Sequence, residues 1–589
     1  MAREVIKVTA GIAGLAVGLA ACGGGGGGAS ADGPPRDGDT LRVVGSSDVE
    51  HLDTASVASV GGYGLARTFA RTLFATRASN DFAETIPVRA DAAARLPSRE
   101  NGDIGKDGRT YTIRLRDGVA WSTSPPRAVT AQDFVRGFQR LCNPASPSAG
   151  KGYYISTIKG MDGFCRGFAG VDAKDARAIA GYQRAHQIAG VRAKDDRTLV
   201  FTLKRPASDF LNLLALPFTA AAPREYDAYV PDSPAFRQHM ISDGPYRIAE
   251  YRPGISYLLT RNPAWRQDSD PIRERHVERI QITLGQDSPE NVQQQIEQGA
   301  ADLAWDQPVP TSAIPRLRDD PRFAVLETPN SSPYLVFNLH SPNNGGALGD
   351  RAVRQALEYA VDRSALIKIV GGPLVAKPLH TVIPPGNSGY AAADPYPTPN
   401  ESGDPGKCRQ LLAKTGHRKL TLRFPYRTNS VHKLIAQSIA ANLSACGVAT
   451  KLAPDTGGSF YSSTIATPAR AREGQWDIAA PGWTPDWYGN NGRSIIQPLF
   501  DGRSYGQNST DYGGYNNPQV NALIDGALTA SDADHAAGYW QRADQLIMAD
   551  AAIVPLIDRA TTLFRSSRVH GARFVPIAAG YDYTRLWLS

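Results

Sequence analysis

The chain has 589 residues, 42% of them hydrophobic and 21% charged, with 57 Gly, 42 Pro and a formal net charge of +7. This length exceeds what one hydrophobic core supports, so two or three domains are expected, and the composition is that of a globular rather than a disordered or fibrous chain. The basic residues form no concentrated stripe, which argues against nucleic acid as a partner.

Arg3 and Lys7 precede an Ala- and Gly-rich apolar run at 8–21, short for a membrane span but suited to a signal peptide. The run ends in Leu19-Ala20-Ala21-Cys22, similar to the lipobox of bacterial lipoproteins, in which the Cys is lipidated and becomes the new N-terminus. The Gly-rich stretch at 23–28 continues to Pro34-Pro35 and cannot bury apolar surface, so 22–37 reads as a lipidated Cys and flexible tether. No later stretch is long and apolar enough to span a bilayer, so the protein is expected outside the cytoplasm, anchored to the membrane by lipid at the cell surface or in the periplasm. Export leaves Cys142, Cys165, Cys408 and Cys446 in an oxidising compartment. Three pairings are possible, and proximity favours Cys142 with Cys165 and Cys408 with Cys446. No CxxC spacing or nearby His suggests zinc, and no metal is expected.

In chain order, 40–45 (TLRVVG) alternates as a first strand, and 63–74 has helical spacing with Leu65, Phe69 and Leu73 on one face. Residues 110–115 read as a half-buried strand. Thr130 caps a helix at 131–141 with Asp133 in its first turn. A strand at 198–203 and a short apolar helix at 210–214 follow. Asp243-Gly244-Pro245 turns into a strand that pairs with 257–260; 276–284 is a further strand, 289–298 a helix and 301–305 a strand. Then come a strand at 334–339 and one long amphipathic helix at 351–370, capped by Asp350. A Pro-rich linker leads to a helix at 406–415, a strand at 419–425, a helix at 432–446 and a strand at 448–452. Helices at 516–528 and 536–550 and strands at 553–557 and 562–564 close the chain. Helices and strands intermix without a repeat of fixed period, which predicts a mixed α/β protein of more than one lobe.

Within this order Trp483-Thr484-Pro485-Asp486-Trp487-Tyr488 gathers three aromatic side chains and one carboxylate just after the strand-like 476–480. A carboxylate framed by indoles and a phenol suits a ligand bearing a positive charge, by ion pairing and cation–π attraction. The same side chains would also suit a core, with Asp486 as a cap or turn residue.

The residues Asp350-Arg351-Ala352-Val353-Arg354-Gln355-Ala356-Leu357, then Ala360-Val361-Asp362-Arg363, carry a resemblance, together with Phe337-Asn338-Leu339, Gly244-Pro245-Tyr246, Arg261-Asn262-Pro263 with Trp265, and Trp476-Asp477. The chain resembles the extracellular solute-binding proteins of family five, the oligopeptide- and dipeptide-binding lipoproteins of peptide-class ABC importers. The resemblance implies a two-lobed periplasmic-binding-protein-like fold with an inserted domain and the ligand in the cleft between lobes that close by a hinge. The expected divisions are 38–74 with 196–326 and 546–589 as lobe I, 75–195 as the inserted domain and 327–545 as lobe II, behind a signal peptide at 1–21. It implies a peptide ligand, an importer permease with its ATPase subunits as partners, no cofactor and a monomer.

In peptide-binding members an Asp in Gly-Trp-x-x-Asp pairs with the ligand's α-ammonium; the pattern stands here as Gly482-Trp483-Thr484-Pro485-Asp486, so Asp486 takes that role. Main-chain groups near Gly482 and Thr484 would bond the peptide backbone as in strand addition. Ser59, Val60 and Gly61 match the opposing lobe's contact, and Asn508 is included among the ligand contacts. His432 begins a helix where some members hold a ligand carboxylate, although a surface or capping role suits a lone His as well. The sequence departs from the pattern at Trp121-Ser122-Thr123-Ser124-Pro125-Pro126, at Gly489-Asn490-Asn491-Gly492, and at Ala480, where some oligopeptide binders carry Arg. These departures bear on ligand length and C-terminal recognition. No G-x-S-x-G, H-E-x-x-H or G-x-x-x-x-G-K-[ST] is present, so an enzyme is not expected. Alternatives are the same fold with a non-peptide cation or chelate, such as a nickel chelate, opine or antibiotic, or a sensing or signalling lipoprotein.

Overall fold

The first strand, Thr40–Val44, buries Leu41 and Val43 completely, as its alternation requires. In the computed structural model, which describes residues 33–417, 419–428, 430–455, 460–506, 509–530 and 532–589, this strand lies between two parallel neighbours, Arg279–Thr283 and Leu303–Ala304. The sheet continues antiparallel through Ser256–Arg261 to Tyr246–Arg252, giving five strands. The helix Val60–Phe69 packs on it. The core they share also takes Val569, Tyr581, Leu586 and Leu588 from the end of the chain. Cys22, the signal-like run and most of the tether lie outside the described residues, as does Asn508.

The helix expected at 63–74 starts earlier and stops at Phe69. Ser59 caps it, accepting a hydrogen bond from the Gly62 amide, and the chain then extends at Ala70 so that Arg71 is fully buried against Asp91. Phe74–Thr76 becomes a strand paired with Val88–Ala90.

A second core is built on the antiparallel strands Thr110–Arg114, Thr198–Thr202 and Val191–Asp195. The helix Ala131–Arg140 covers this sheet. Its start carries a capping box between Thr130 and Asp133, and Phe134 and Phe138 are fully buried. Phe138 meets Tyr154 and Phe201 edge-on, an arrangement that adds to area burial in aromatic cores. The disulfide Cys142–Cys165 ties the end of this helix to the helix Met161–Phe168.

The third region centres on Tyr334–Phe337, antiparallel to both Ile478–Ala479 and Ile553–Pro555. Beside it Thr421–Arg427 and Ala449–Asp455 run parallel, joined by the crossover helix Ser430–Ala445. The disulfide Cys408–Cys446 fastens that crossover to the helix Pro405–Leu412. The long helix expected at 351–370 is two helices, Arg351–Glu358 and Arg363–Ile369. The break has a local cause: Asp362 caps the second helix by accepting from the Ala365 amide, while its own amide donates to Asn442. Ala360 and Val361 between the helices are still buried, so the apolar stripe persists across a bend. Past Phe564 the chain adds short strands, among them Val569–His570 paired with Trp587–Leu588. Among the described residues no helix is long and apolar enough to cross a membrane.

Candidate functional site

The strand Ile478–Ala479 leaves its sheet through Ala480 and Pro481 into the aromatic segment. Its anchor is Trp476-Asp477: Trp476 is fully buried, and the Asp477 carboxylate accepts from the Arg423 amide at 2.7 Å and from Asn343 at 3.0 Å. Those two residues therefore form scaffold rather than site. Further along, Trp483 pairs with Ser331 through both of its main-chain groups, at 2.8 and 3.0 Å, and its indole donates to the Ser494 carbonyl at 2.8 Å.

Successive main-chain groups of an extended segment point to opposite sides, so pairing Trp483 on one side presents Gly482 and Thr484 on the other. The Gly482 amide donates to the Tyr461 hydroxyl at 3.0 Å. Among the described residues the Gly482 carbonyl and both main-chain groups of Thr484 have no protein partner, leaving a short open strand edge. Gly482 suits this close packing, because a Cβ there would stand 2.5 Å from the Ser332 hydroxyl.

Asp486 lies at the end of that edge. Its two carboxylate oxygens accept from two tyrosine hydroxyls of distant elements: Tyr63, on the helix Val60–Phe69, at 3.2 Å, and Tyr153, on the helix Lys151–Thr157, at 2.7 Å. Burial pushes the Asp486 carboxyl up to about 6, against the opposing effect of the two hydroxyls. Trp487 meets Tyr153 edge-on, and Tyr488 meets Phe82 in the same way. The result is one carboxylate set among phenol and indole rings, and among the described residues no Lys, Arg or His pairs with it.

Of the expected opposing contacts, Ser59 is occupied as a helix cap and also donates to Glu50 at 2.6 Å. Val60 is exposed, and Gly61 faces the Trp305 ring, with space for no more than ordinary contact. The residue of this helix that reaches Asp486 is Tyr63, one turn further on. His432 is half-buried, and its ring is held well below its ordinary value by burial and by the neighbouring Arg427 and Arg559.

The Gly489-Asn490-Asn491-Gly492 loop has a definite task. Asn490 donates to Ser208 at 2.9 Å and Asn491 to Asn387 at 2.6 Å. The loop delivers Arg493, at the start of the helix Gly492–Phe500, into a buried ion pair with Asp209 at 3.1 Å. Arg493 also donates to the Tyr153 carbonyl and to the hydroxyls of Ser156 and Thr157, so both its Nη groups are directed across to the second core, while its Nε donates to Gln497 on its own helix at 2.7 Å. Sequence reading did not find Tyr63, Tyr153, Asp209 or Arg493 as partners of the segment, because each contact joins residues hundreds of positions apart.

His380, Asp394 and Glu401 bring ring nitrogens and carboxylates together, but Nδ1 faces Asp394 at 3.5 Å while Nε2 faces Glu401 at 3.2 Å. Two nitrogens pointing at two different carboxylates make an ion-pair arrangement rather than a shared metal sphere.

A mixed α/β fold of this kind, with an acidic aromatic segment at the meeting of its cores, defines an extracellular solute-binding protein. The chain belongs to the bacterial extracellular solute-binding proteins, family 5, whose middle region matches residues 90–505. It is 27% identical over 468 residues to the periplasmic oligopeptide-binding protein OppA of Salmonella typhimurium, covering 77% of each chain. It is 25% identical over 464 residues to the probable deoxycholate-binding periplasmic protein YgiS of Escherichia coli, covering 78% of each. Among solved structures it is similar to clavulanic acid biosynthesis oligopeptide binding protein 2, with a TM-score of 0.78, 26% identity, and 94% of this chain and 96% of that one covered. These relatives are binding proteins rather than enzymes.

Proposed function

We propose that this protein captures peptides or closely related ammonium-bearing solutes outside the cytoplasm and hands them to an ABC import permease, and through it to the ATPase subunits. The carrying observation is the pairing of the Asp486 carboxylate with the open strand edge at Gly482 and Thr484. A peptide laid along that edge would gain main-chain hydrogen bonds from any sequence, while its α-ammonium would meet the carboxylate and the ring faces of Trp487 and the two tyrosines. Relatives named for oligopeptides support this reading, and the one named for deoxycholate shows why the site's own charge matters. A steroid carboxylate has no use for a buried aspartate, whereas an amine has.

In this reading the chain divides into lobe I, an inserted domain and lobe II, with Thr198–Thr202 going with the inserted domain's sheet and Ile553–Pro555 with that of lobe II, the ligand enters between the lobes, and closure brings Tyr63 and Tyr153 to Asp486. Cys22 would carry lipid, with residues 23–37 as the tether that holds a monomeric receptor near its permease. Ser59, Val60 and Gly61 would supply the opposing lobe's contact to the ligand, on the helix that also carries Tyr63 to Asp486. The testing experiment is mass spectrometry of the small molecules released when the purified protein is denatured. Peptides or free primary amines are expected, and exclusive recovery of neutral sugars, bile acids or metal chelates would refute the proposal.

A further inference from the structure

The charge of this chain is unevenly placed. Residues 75–210, which build most of the second core, hold more Lys and Arg than Asp and Glu, while the rest of the chain is close to balanced. This region therefore accounts for the formal net charge of +7. No run of basic residues marks it in the sequence, but the fold gathers several of them on one surface.

The sheet of Thr110–Arg114, Thr198–Thr202 and Val191–Asp195 has two unlike faces. Tyr111, Ile113, Leu199, Phe201 and Val191 belong to the second core. Side chains alternate along a strand, so Thr110, Thr112 and Arg114, then Thr198, Val200 and Thr202, and then Arg192 take the other face. Register sets Thr112, Val200 and Arg192 in one row across the sheet, and Arg114 opposite Thr198 in the next. A bulge between Ala193 and Asp195 adds Lys194 beside that second row. Beyond the end of Val191–Asp195, Lys159 takes the place next to Thr202, its amide donating to the Thr202 carbonyl at 3.0 Å.

Arg114, Lys159, Arg192 and Lys194 are all exposed. Among the described residues none of the four side chains has an ion pair or a hydrogen bond. Other exposed cations of the region stand beside acids: Arg95 with Asp103, Arg166 with Asp162 and Arg197 with Asp117. The acids at the margin of the face are already engaged, Asp107 with Arg109 at 3.6 Å and Asp195 with the Arg197 amide at 2.9 Å. Lys and Arg on an edge strand discourage pairing with other chains, which accounts for Arg192 and Lys194. It does not account for Arg114, whose strand is bridged on its far side by Ile104 and Ala93.

We propose that this face docks on a membrane surface through the phosphates of anionic lipid headgroups. Cations and threonine hydroxyls spread over an open sheet, with no free carboxylate among them, match a plane of many equivalent phosphates. The surface is broad rather than concave, so it suits such a plane better than one small anion. The proposal takes from the functional reading only its place outside the cytoplasm. It needs neither a peptide ligand nor lipid on Cys22.

Residues 35–589 form a compact unit of their own, so the test uses the chain from Gly23 onward, which has neither the signal-like run nor an acyl chain. Its partner in the comparison carries Arg114→Gln, Arg192→Gln and Lys194→Gln together. Both are sedimented with phosphatidylcholine vesicles, with and without phosphatidylglycerol. The wild type should bind the anionic vesicles at low salt and leave them at high salt, where screening shortens the reach of the charges. Each cation at an anionic surface contributes about fivefold in partitioning, so the triple variant should bind about a hundredfold more weakly. Its thermal midpoint should stay that of the wild type, since the three side chains hold nothing in place. Equal binding to both kinds of vesicle, or a variant that binds like the wild type, overturns the proposal. A purely protective role predicts a variant that aggregates and a wild type that ignores vesicles, and that result overturns it too. Binding of soluble polyglutamate but not of vesicles assigns the face to an acidic protein and rejects the lipid. Peptides released from a protein that ignores vesicles leave the functional reading standing and remove the docking face; vesicle binding by a protein that releases no peptide or amine does the reverse.

Discussion

Replacing Asp486 by Asn probes the centre of the proposed site. The carboxyl stands at about 6 in the folded protein, whereas an unperturbed aspartate in an unfolded chain titrates near 3.9. A raised folded value means that the charged form is disfavoured by folding: the cost is present in full above about pH 6 and is gone below about pH 4. A ligand ammonium reverses that preference, since it pairs only with the carboxylate. Binding at pH values below 6 must therefore release a proton, and affinity should weaken by about tenfold for each further pH unit down toward the value of the bound complex. At pH 7.5 the Asn variant leaves an ammonium buried without a counter-charge, a loss of roughly 2–5 kcal/mol, or about thirtyfold to several thousandfold in Kd. The two tyrosine hydroxyls remain able to bond the new amide oxygen, so the fold should survive. The assay is calorimetry of a di- to pentapeptide bound by the wild type, at pH 7.5 and 5.5, each in two buffers of different ionisation enthalpy. Equal affinity of variant and wild type at pH 7.5, or no proton release by the wild type at pH 5.5, would refute the assignment.

Asp209→Asn removes the charge partner of Arg493 but leaves that arginine its other acceptors. The expected result is a larger radius of gyration by X-ray scattering in protein stripped of ligand, with the secondary structure unchanged; an unaltered radius would show that the pair does not hold the cores together. Mutating Cys408 and Cys446 to Ser opens a loop of separation 38 and should lower stability by about 4 kcal/mol in denaturant titration, a loss absent if the pair is not oxidised in the secreted protein. Glu358 is fully buried, with neither carboxylate oxygen hydrogen-bonded, and burial pushes it up to about 8 despite Arg363 at 3.6 Å. Its ionisation thus disfavours folding by an amount that grows from about pH 4 and is full above about pH 8, and Glu358→Gln should raise the thermal midpoint at pH 9 more than at pH 6; the opposite order would contradict the burial argument.

What the sequence disclosed follows from the range of the interactions involved. Strands such as Thr40–Val44 and Thr110–Arg114 were legible because alternation is a local pattern set by one buried face. The split between Arg351–Glu358 and Arg363–Ile369 was hidden because the apolar stripe continues through the bend, and the interrupting residue, Asp362, reads equally well as a polar position of one helix or the cap of a second. Asp486 stood out through its own neighbours in sequence. Its tyrosine partners did not, being separated from it by 423 and 333 positions, and nothing local marks a tyrosine as bound for a distant carboxylate.

The first strand has a consequence for biogenesis. Thr40–Val44 needs Arg279–Thr283 and Leu303–Ala304 as neighbours, and its core is finished by residues from Val569 to Leu588. The two disulfides, in contrast, each close within a single core and span only 23 and 38 positions. As the chain emerges, the inner cores can oxidise and condense early, while Thr40–Val44 finds its neighbours only after residue 304 has followed, and its core closes only with the last twenty residues. A nick or nonsense codon near the C-terminus would therefore leave the core of the first strand open while the other two are already closed.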